Sequence, residues 1–272
     1  AGVTVAVLDT GVFSAHPDLA ANMVAGWNTF DNSADSADVH GHGTSVAGVV
    51  AMQANNGVGG AGIAHGAKIM PIRITDTNGY AYFSTMAAGV TWAADHGARV
   101  ANISFSGVAG SYTVDVAAQY MRDRGGVVVV AAGNTGGELA YTSYENLLVV
   151  GATDSNDARA SFSSYGAFVD LAAPGVSIYT TNRSGSYSQA SGTSFASPVA
   201  AATVALMLAA NPDLDAAEVR AILYQTARDL GAAGKDAQFG NGRVDAAAAV
   251  LAAYAQRPLD SVAPVVSLLT AL

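Results

Sequence analysis

Three side chains in this sequence have the types and settings that acyl transfer requires. Asp9 closes Val-Leu-Asp-Thr-Gly, His42 lies in His-Gly-His-Gly-Thr, and Ser194 lies in Ser-Gly-Thr-Ser-Phe-Ala-Ser-Pro. A serine hydroxyl is a weak nucleophile. It needs an adjacent base, and an imidazole base needs a carboxylate that fixes its orientation and tautomer. Glycines beside His42 and Ser194 allow close backbone approach to a bound chain. Taken singly, each residue has a plainer reading: Asp9 as a turn residue, His42 as loop, Ser194 as a helix N-cap.

Chain order narrows the chemistry. The five histidines are 16, 40, 42, 65 and 96, so all precede residue 97. An α/β-hydrolase runs nucleophile, acid, histidine after a Gly-x-Ser-x-Gly elbow, and no such elbow is present. The order here is Asp, His, Ser, which is not that of an α/β-hydrolase. Ser45 also sits in a Gly-Thr-Ser context. It falls three residues after His42 on one helix, where capping or packing is expected. His40 is noted for its closeness to the base, and His16, His65 and His96 read as loop or helix-end residues.

These residues must be held by a scaffold. Short β-branched runs at Val3–Leu8, Lys68–Ile74, Arg99–Ile103, Val127–Ala132 and Leu147–Ala152 read as buried strands. Helical stretches at Thr44–Gln53, Ser84–His96, Tyr112–Arg124, Phe195–Ala210 and Asp245–Gln256 alternate with or follow them. Such alternation indicates an α/β fold, with a mostly parallel sheet covered by helices on both faces. Ser84 is placed to cap its helix and Gly97 to close it. Ligands of such sheets bind beyond the carboxyl ends of the strands, where Asp9, Ser104 and Asn134 fall. Residues 1–256 read as one catalytic domain without internal repeats, and 257–272 as a tail or linker stub.

Composition excludes other classes. With 51% hydrophobic and 12% charged residues the chain has the material for a deep core. A net charge of −9 argues against nucleic-acid or anionic-membrane partners. There is no cysteine, hence no disulfide, thiolate metal site or cysteine nucleophile. No apolar run reads as long enough to cross a bilayer.

Asp-Thr-Gly (9–11), His-Gly-Thr (42–44) and Gly-Thr-Ser-Phe-Ala-Ser-Pro (192–198) resemble the three signature segments of the subtilase family of serine endopeptidases. Ala-Ala-Gly-Asn (131–134) resembles its oxyanion segment. His16-Pro-Asp-Leu and the run from Arg159 through Ala173-Pro-Gly-Val are also similar, so the resemblance spans nearly the whole chain. It implies a three-layer sandwich and endopeptidase action on extended polypeptides through an acyl-enzyme. Asp9, His42 and Ser194 would be catalytic, with the Asn134 side chain and the Ser194 N–H as oxyanion donors. Ser104, Phe105, Ser106 and Gly107 would pair with substrate on one edge, and Gly79, Tyr80 and Ala81 on the other. Ala132 and Gly133 would line the first specificity pocket.

The same resemblance implies structural calcium, bound by Asp18, the Asn56 side chain and the carbonyls of Ala54, Val58 and Gly60. The family's preceding ligand-bearing segment is missing, which implies a weaker or absent site. The acidic loop with Asp31, Asp35 and Asp38 reads either as a second cation loop or as a solvated turn. A propeptide or proteinaceous inhibitor is an implied partner, and the implied location is extracellular after removal of upstream signal and propeptide. The sequence departs from the family at Ser45, Phe105, Ser106, Thr135 and Phe195. Thr135 stands where an acidic residue is common, which implies large apolar rather than basic residues at the cleaved position. Two other readings use the same residues: a hydrolase of polyesters or other non-peptide esters, and an inactive subtilase-like binding module.

Overall fold

The computed structural model describes residues 2–257. Its centre is a seven-stranded parallel sheet. In chain order the strands are β1 (Thr4–Asp9), β2 (Trp27–Asn28), β3 (Lys68–Arg73), β4 (Val100–Ile103), β5 (Val127–Ala131), β6 (Leu147–Thr153) and β7 (Leu171–Pro174). They are arranged β2-β3-β1-β4-β5-β6-β7. An antiparallel pair, β8 (Ile178–Thr181) and β9 (Tyr187–Ala190), stands apart. The helices are α1 (His42–Ala51), α2 (Phe83–Asp95), α3 (Tyr112–Arg122), α4 (Thr193–Ala210), α5 (Ala216–Thr226) and α6 (Ala246–Ala255).

The central strands β5 and β6 are almost wholly apolar because both faces are covered. In β5, Val127 and Val129 pack with α1, α4, α5 and α6, while Val128 and Val130 pack with α2 and α3. All four are buried. Burying one such side chain contributes about 1.5–3 kcal/mol. This is the three-layer α/β sandwich that the alternating pattern indicates.

Local details differ from the sequence expectation. Helix α2 begins at Phe83, so Ser84 lies inside it and does not cap. Thr85 does that work, its Oγ1 accepting from the Tyr82 N–H at 3.2 Å. Gly97 does close the helix, at φ +83°. Helices α1 and α4 each start two residues earlier than expected, which puts His42 and Ser194 inside their first turns. The strands β2, β7, β8 and β9, and helix α5, are additions to the sequence reading. Among the described residues one helix, Thr193–Ala210, has the length and apolarity to cross a membrane, contrary to expectation (mean hydropathy 1.6). It is 72% buried and packs against the sheet, which accounts for its apolar character. Apart from Arg257, the expected tail 257–272 lies outside the described residues.

Candidate active site

Asp9 ends β1, Ser104 follows β4 and Asn134 follows β5, and these three strands are neighbours. The polar residues therefore gather at one end of the sheet, beyond the strand carboxyl ends. His42 and Ser194 reach the same place on the first turns of α1 and α4. A cleft of about 240 Å³ has His42, Ser194, Ser104, Phe105, Ser106, Gly79, His40, Thr10 and Asn78 on its walls.

Asp9 is fully buried. Its carboxylate receives the His42 Nδ1–H at 2.8 Å from Oδ1 and 3.0 Å from Oδ2, and the Thr10 N–H at 2.7 Å. Gly43 has to be glycine, because a Cβ there would collide with the Gly11 carbonyl and lie 3.0 Å from the Asp9 Cβ. Burial of the imidazole opposes its charged form, but the Asp9 charge, the hydrogen bond and the Asp38 charge together outweigh it. The pKa of His42 consequently stands above the ordinary 6.5. Phe105 and Phe195 flank the ring, with centroids 6.1 and 5.7 Å away.

The Ser194 hydroxyl donates to the Ser104 carbonyl at 3.1 Å and makes no hydrogen bond with His42. Catalytic contacts commonly tighten only when substrate binds. Pro198 explains a second contact. It has no N–H to bond the Ser194 carbonyl four residues back. The Ser104 hydroxyl occupies that carbonyl, at 2.9 Å. Asn102 in turn donates to Ser104 Oγ at 2.9 Å and accepts from Ser197 at 2.6 Å.

Asn134 is oriented by donors. Its Oδ1 accepts from the Thr193 N–H at 2.9 Å and the Thr193 hydroxyl at 3.0 Å. The amide nitrogen is thereby the group left to face a ligand. A Cβ at Gly192 would lie 3.5 Å from that Nδ2 and 3.6 Å from the Ser194 N, so both donors border one space. That space lies at the N-terminus of α4, where the helix dipole favours negative charge.

The first specificity pocket expected from sequence involves Ala132 and Gly133. Ala132 is buried, its N–H bonded to the Val150 carbonyl. Gly133 has φ +106°, and a Cβ on it would lie 3.1 Å from Ser164 Oγ and 3.9 Å from Ser106 Oγ. Ser106 thus faces Gly133 across this space. Thr135 hydrogen-bonds Ser164 through both its N–H (3.1 Å) and its hydroxyl (2.9 Å), which makes this wall polar and uncharged. On the other edge, Ala81 bridges Thr75 while Tyr80 is largely exposed. Gly107 marks the end of its edge at φ +83°.

Several expectations are corrected. Asp38 is neither a solvated turn nor a cation ligand. It is buried and accepts the backbone N–H groups of His40, Gly41 and Thr44 at the start of α1. Asp31 and Asp35 serve local turns, accepting from Ser33 Oγ and the Ala37 N–H. Ser45 bonds back to the Gly41 carbonyl within its helix, as expected. His16 is a loop residue, as expected, but a buried one, with Nδ1 accepting from the Asp18 N–H and Nε2 donating to the Ser186 carbonyl.

Among the described residues no three His, Asp or Glu side chains converge as a metal cluster. A cation at the 54–60 loop would rest on one carboxylate and on amide and carbonyl oxygens. Asp18 is fully buried there and its Oδ2 has no partner. The Asn56 amide contacts Oδ1, and a Cβ on Gly59 would collide with Oδ2.

Comparison with known proteins agrees with this architecture. Residues 1–242 match the subtilase family model. The chain is 41% identical to Thermitase of Thermoactinomyces vulgaris over 92% of its length and 88% of Thermitase. It is 40% identical to Subtilisin Savinase of Lederbergia lenta, over 91% of this chain and 90% of that one. A solved protease structure from Pseudoalteromonas arctica superposes with TM-score 0.82 at 34% identity, covering 93% of this chain and 90% of its own. The chain belongs to the subtilase family. It is a serine endopeptidase of the Asp-His-Ser type.

Proposed function

We propose that Ser194 attacks the scissile carbonyl, with His42 as general base and Asp9 holding its tautomer. The observation that carries this is the two-oxygen grip of Asp9 on His42 Nδ1, at 2.8 and 3.0 Å, in the cleft that also holds Ser194. With Nδ1–H committed to Asp9, the Nε2 lone pair is left to take the Ser194 proton. The tetrahedral oxyanion is received by Asn134 Nδ2 and the Ser194 N–H. Collapse expels the amine, which takes the proton back from His42 Nε2, and water then repeats the sequence on the acyl-enzyme. Removing one such side-chain donor typically costs roughly 10²–10³ in turnover.

The substrate we infer is an extended polypeptide, paired between the Ser104–Gly107 edge and the Gly79–Ala81 edge. The uncharged Gly133, Thr135 and Ser164 wall supports large apolar residues at the cleaved position over basic ones. In a peptide series varying only that position, Phe, Leu or Met should give the highest kcat/KM. Lys or Arg as the best residue would refute the assignment. An acyl-enzyme also cleaves esters, but no observation favours an ester as the natural substrate, and none favours a silent binding module. Work outside the cell, after loss of an upstream propeptide, is part of the same proposal.

For the 54–60 loop, the support for calcium is the unpartnered buried oxygen of Asp18, since an unpaired buried charge is costly. Asp18, Asn56 and the carbonyls of Ala54, Val58 and Gly60 would hold the ion, which would neutralise that charge and pin the loop. A site filled at about 100 times its Kd adds about 2.7 kcal/mol. Chelation should therefore lower Tm by about 5–10 °C. In Asp18→Asn the chelator should have no effect. An undiminished chelator effect in that variant would move the site elsewhere.

A further inference from the structure

We propose that Asp38 is a positioning residue for catalysis, a second buried carboxylate that locks the loop after Asp9 to the helix turn bearing His42. This rests on the reading of His42 as general base. The position is 6% exposed, and neither oxygen is idle. Oδ1 accepts from the Thr10 hydroxyl at 2.8 Å, the His40 N–H at 3.0 Å and the Gly41 N–H at 2.7 Å. Oδ2 accepts from the Thr44 N–H at 3.0 Å and from the Thr44 hydroxyl.

These contacts fall on both sides of the reacting pair. Thr10 is adjacent to Asp9, and its own N–H bonds the Asp9 carboxylate at 2.7 Å. The hydroxyl that Thr10 gives to Asp38 also accepts the Gly43 N–H at 3.0 Å. His42 is thereby bracketed, with Gly41 and Thr44 held by Asp38 and Gly43 held by Thr10. Helix α1 has no N-cap side chain of its own, because Gly41 occupies that place at φ +113°. Asp38 takes the Thr44 N–H, and Thr10 the Gly43 N–H, that this glycine leaves open, and Asp38 places negative charge at the positive end of the helix.

The second consequence is electrostatic. The imidazolium formed during proton transfer is favoured by the charges of two buried carboxylates, Asp9 in contact and Asp38 four residues before it in the chain. Of the opposing positive groups, Arg73 is engaged elsewhere, donating to the Thr75 carbonyl at 3.1 Å, but Arg183 stays close, donating to the Val39 carbonyl at 2.7 Å and sharing a cavity wall with Asp38. His40 stands on the cleft wall beside Gly79, and Asp76 lies in the exposed turn before it. Helix α4 and strand β8, which also pack on α1, bring no charged side chain.

The test compares kcat, KM and the pH dependence of kcat/KM for the intact enzyme and for Asp38→Asn, Thr10→Val, Thr10→Ser and His42→Ala, each normalised to its folded fraction by circular dichroism. Asp38→Asn removes the charge, so the acid limb should move down by about half a pH unit. Its plateau kcat should fall about tenfold from lost alignment, with KM within about twofold. Thr10→Val removes the bridge and keeps the charge, so kcat should fall about tenfold with the acid limb in place. Thr10→Ser should restore most of that loss. Wild-type kcat and an unmoved acid limb in folded Asp38→Asn would overturn the proposal. Should Asp38→Asn not fold, wild-type kcat in Thr10→Val would overturn it equally. His42→Ala separates the two readings: activity surviving there defeats the base assignment, whereas its loss leaves the Asp38 result to be judged alone.

Discussion

Replacing Ser194 by alanine is expected to lower kcat by about 10⁶-fold, the loss known for the nucleophile of subtilisin. The expectation follows from the division of labour in the cleft. Nothing else there has a hydroxyl in the place of Ser194: Ser104 is tied to Asn102 and to the Ser194 carbonyl, and Ser45 is turned back on its own helix. The fold should be untouched, because the hydroxyl contributes a single hydrogen bond, to the Ser104 carbonyl at 3.1 Å. Thermal melts of the two proteins should therefore coincide within a few degrees. Residual turnover of about 10³–10⁴ over water would persist from oxyanion stabilisation and substrate binding. Stopped assays on a peptide amide, with the variant purified free of wild-type enzyme, measure the loss.

The next largest effect is expected from Asp9→Asn, a loss of the order of 10⁴ in kcat, the figure known for the equivalent change in a serine protease. An asparagine amide facing Nδ1 reverses the hydrogen bond and favours the tautomer protonated at Nε2, which cannot accept the Ser194 proton. The substitution also carries a pH signature. Burial alone would lower the pKa of His42, but the Asp9 and Asp38 charges raise it above 6.5. The active form has neutral His42, so in the wild type kcat/KM should fall as pH drops through a value higher than 6.5. Losing the Asp9 charge should move that limb to lower pH. For stability the sign is opposite to that of a carboxylate with a depressed pKa. The ion pair contributes fully below the unfolded value of 6.5 and is lost as pH rises through the folded one. The stability difference between wild type and Asp9→Asn should accordingly narrow as pH rises through that window.

The residues proposed for the chemistry were legible because chemistry restricts their types. Asp9, His42, Ser194 and Asn134 sit in glycine-bearing turns just beyond strand ends or at helix starts, and the fold brings all four to one end of the sheet. The strands were legible because a sheet covered on both faces leaves unbroken apolar runs such as Val127–Val130. Asp38 was not, since an aspartate among other acidic loop residues reads as solvated until the start of α1 is seen to fall four residues later. A signal existed: Asp38 and Thr44 bracket a glycine-rich helix start that lacks its own cap. Helix α5 also had one, the pair Asp215 and Glu218, which cap each other's N–H groups at 2.8 and 2.9 Å. The short strands β7, β8 and β9 depend on pairing between distant segments, which local pattern does not encode. The burial of His16 within its loop was not legible, because it is imposed by Tyr187 and Ser186, some 170 positions away.

The central claim is that one side chain, Ser194, is made nucleophilic by His42. Mass spectrometry of the protein after treatment with a serine-directed fluorophosphonate tests it most directly. A single adduct is expected, on the peptide containing Ser194, with peptidase activity falling in proportion to labelling and no adduct in His42→Ala over the same interval. An adduct on another serine, or full inhibition with Ser194 unmodified, would contradict it.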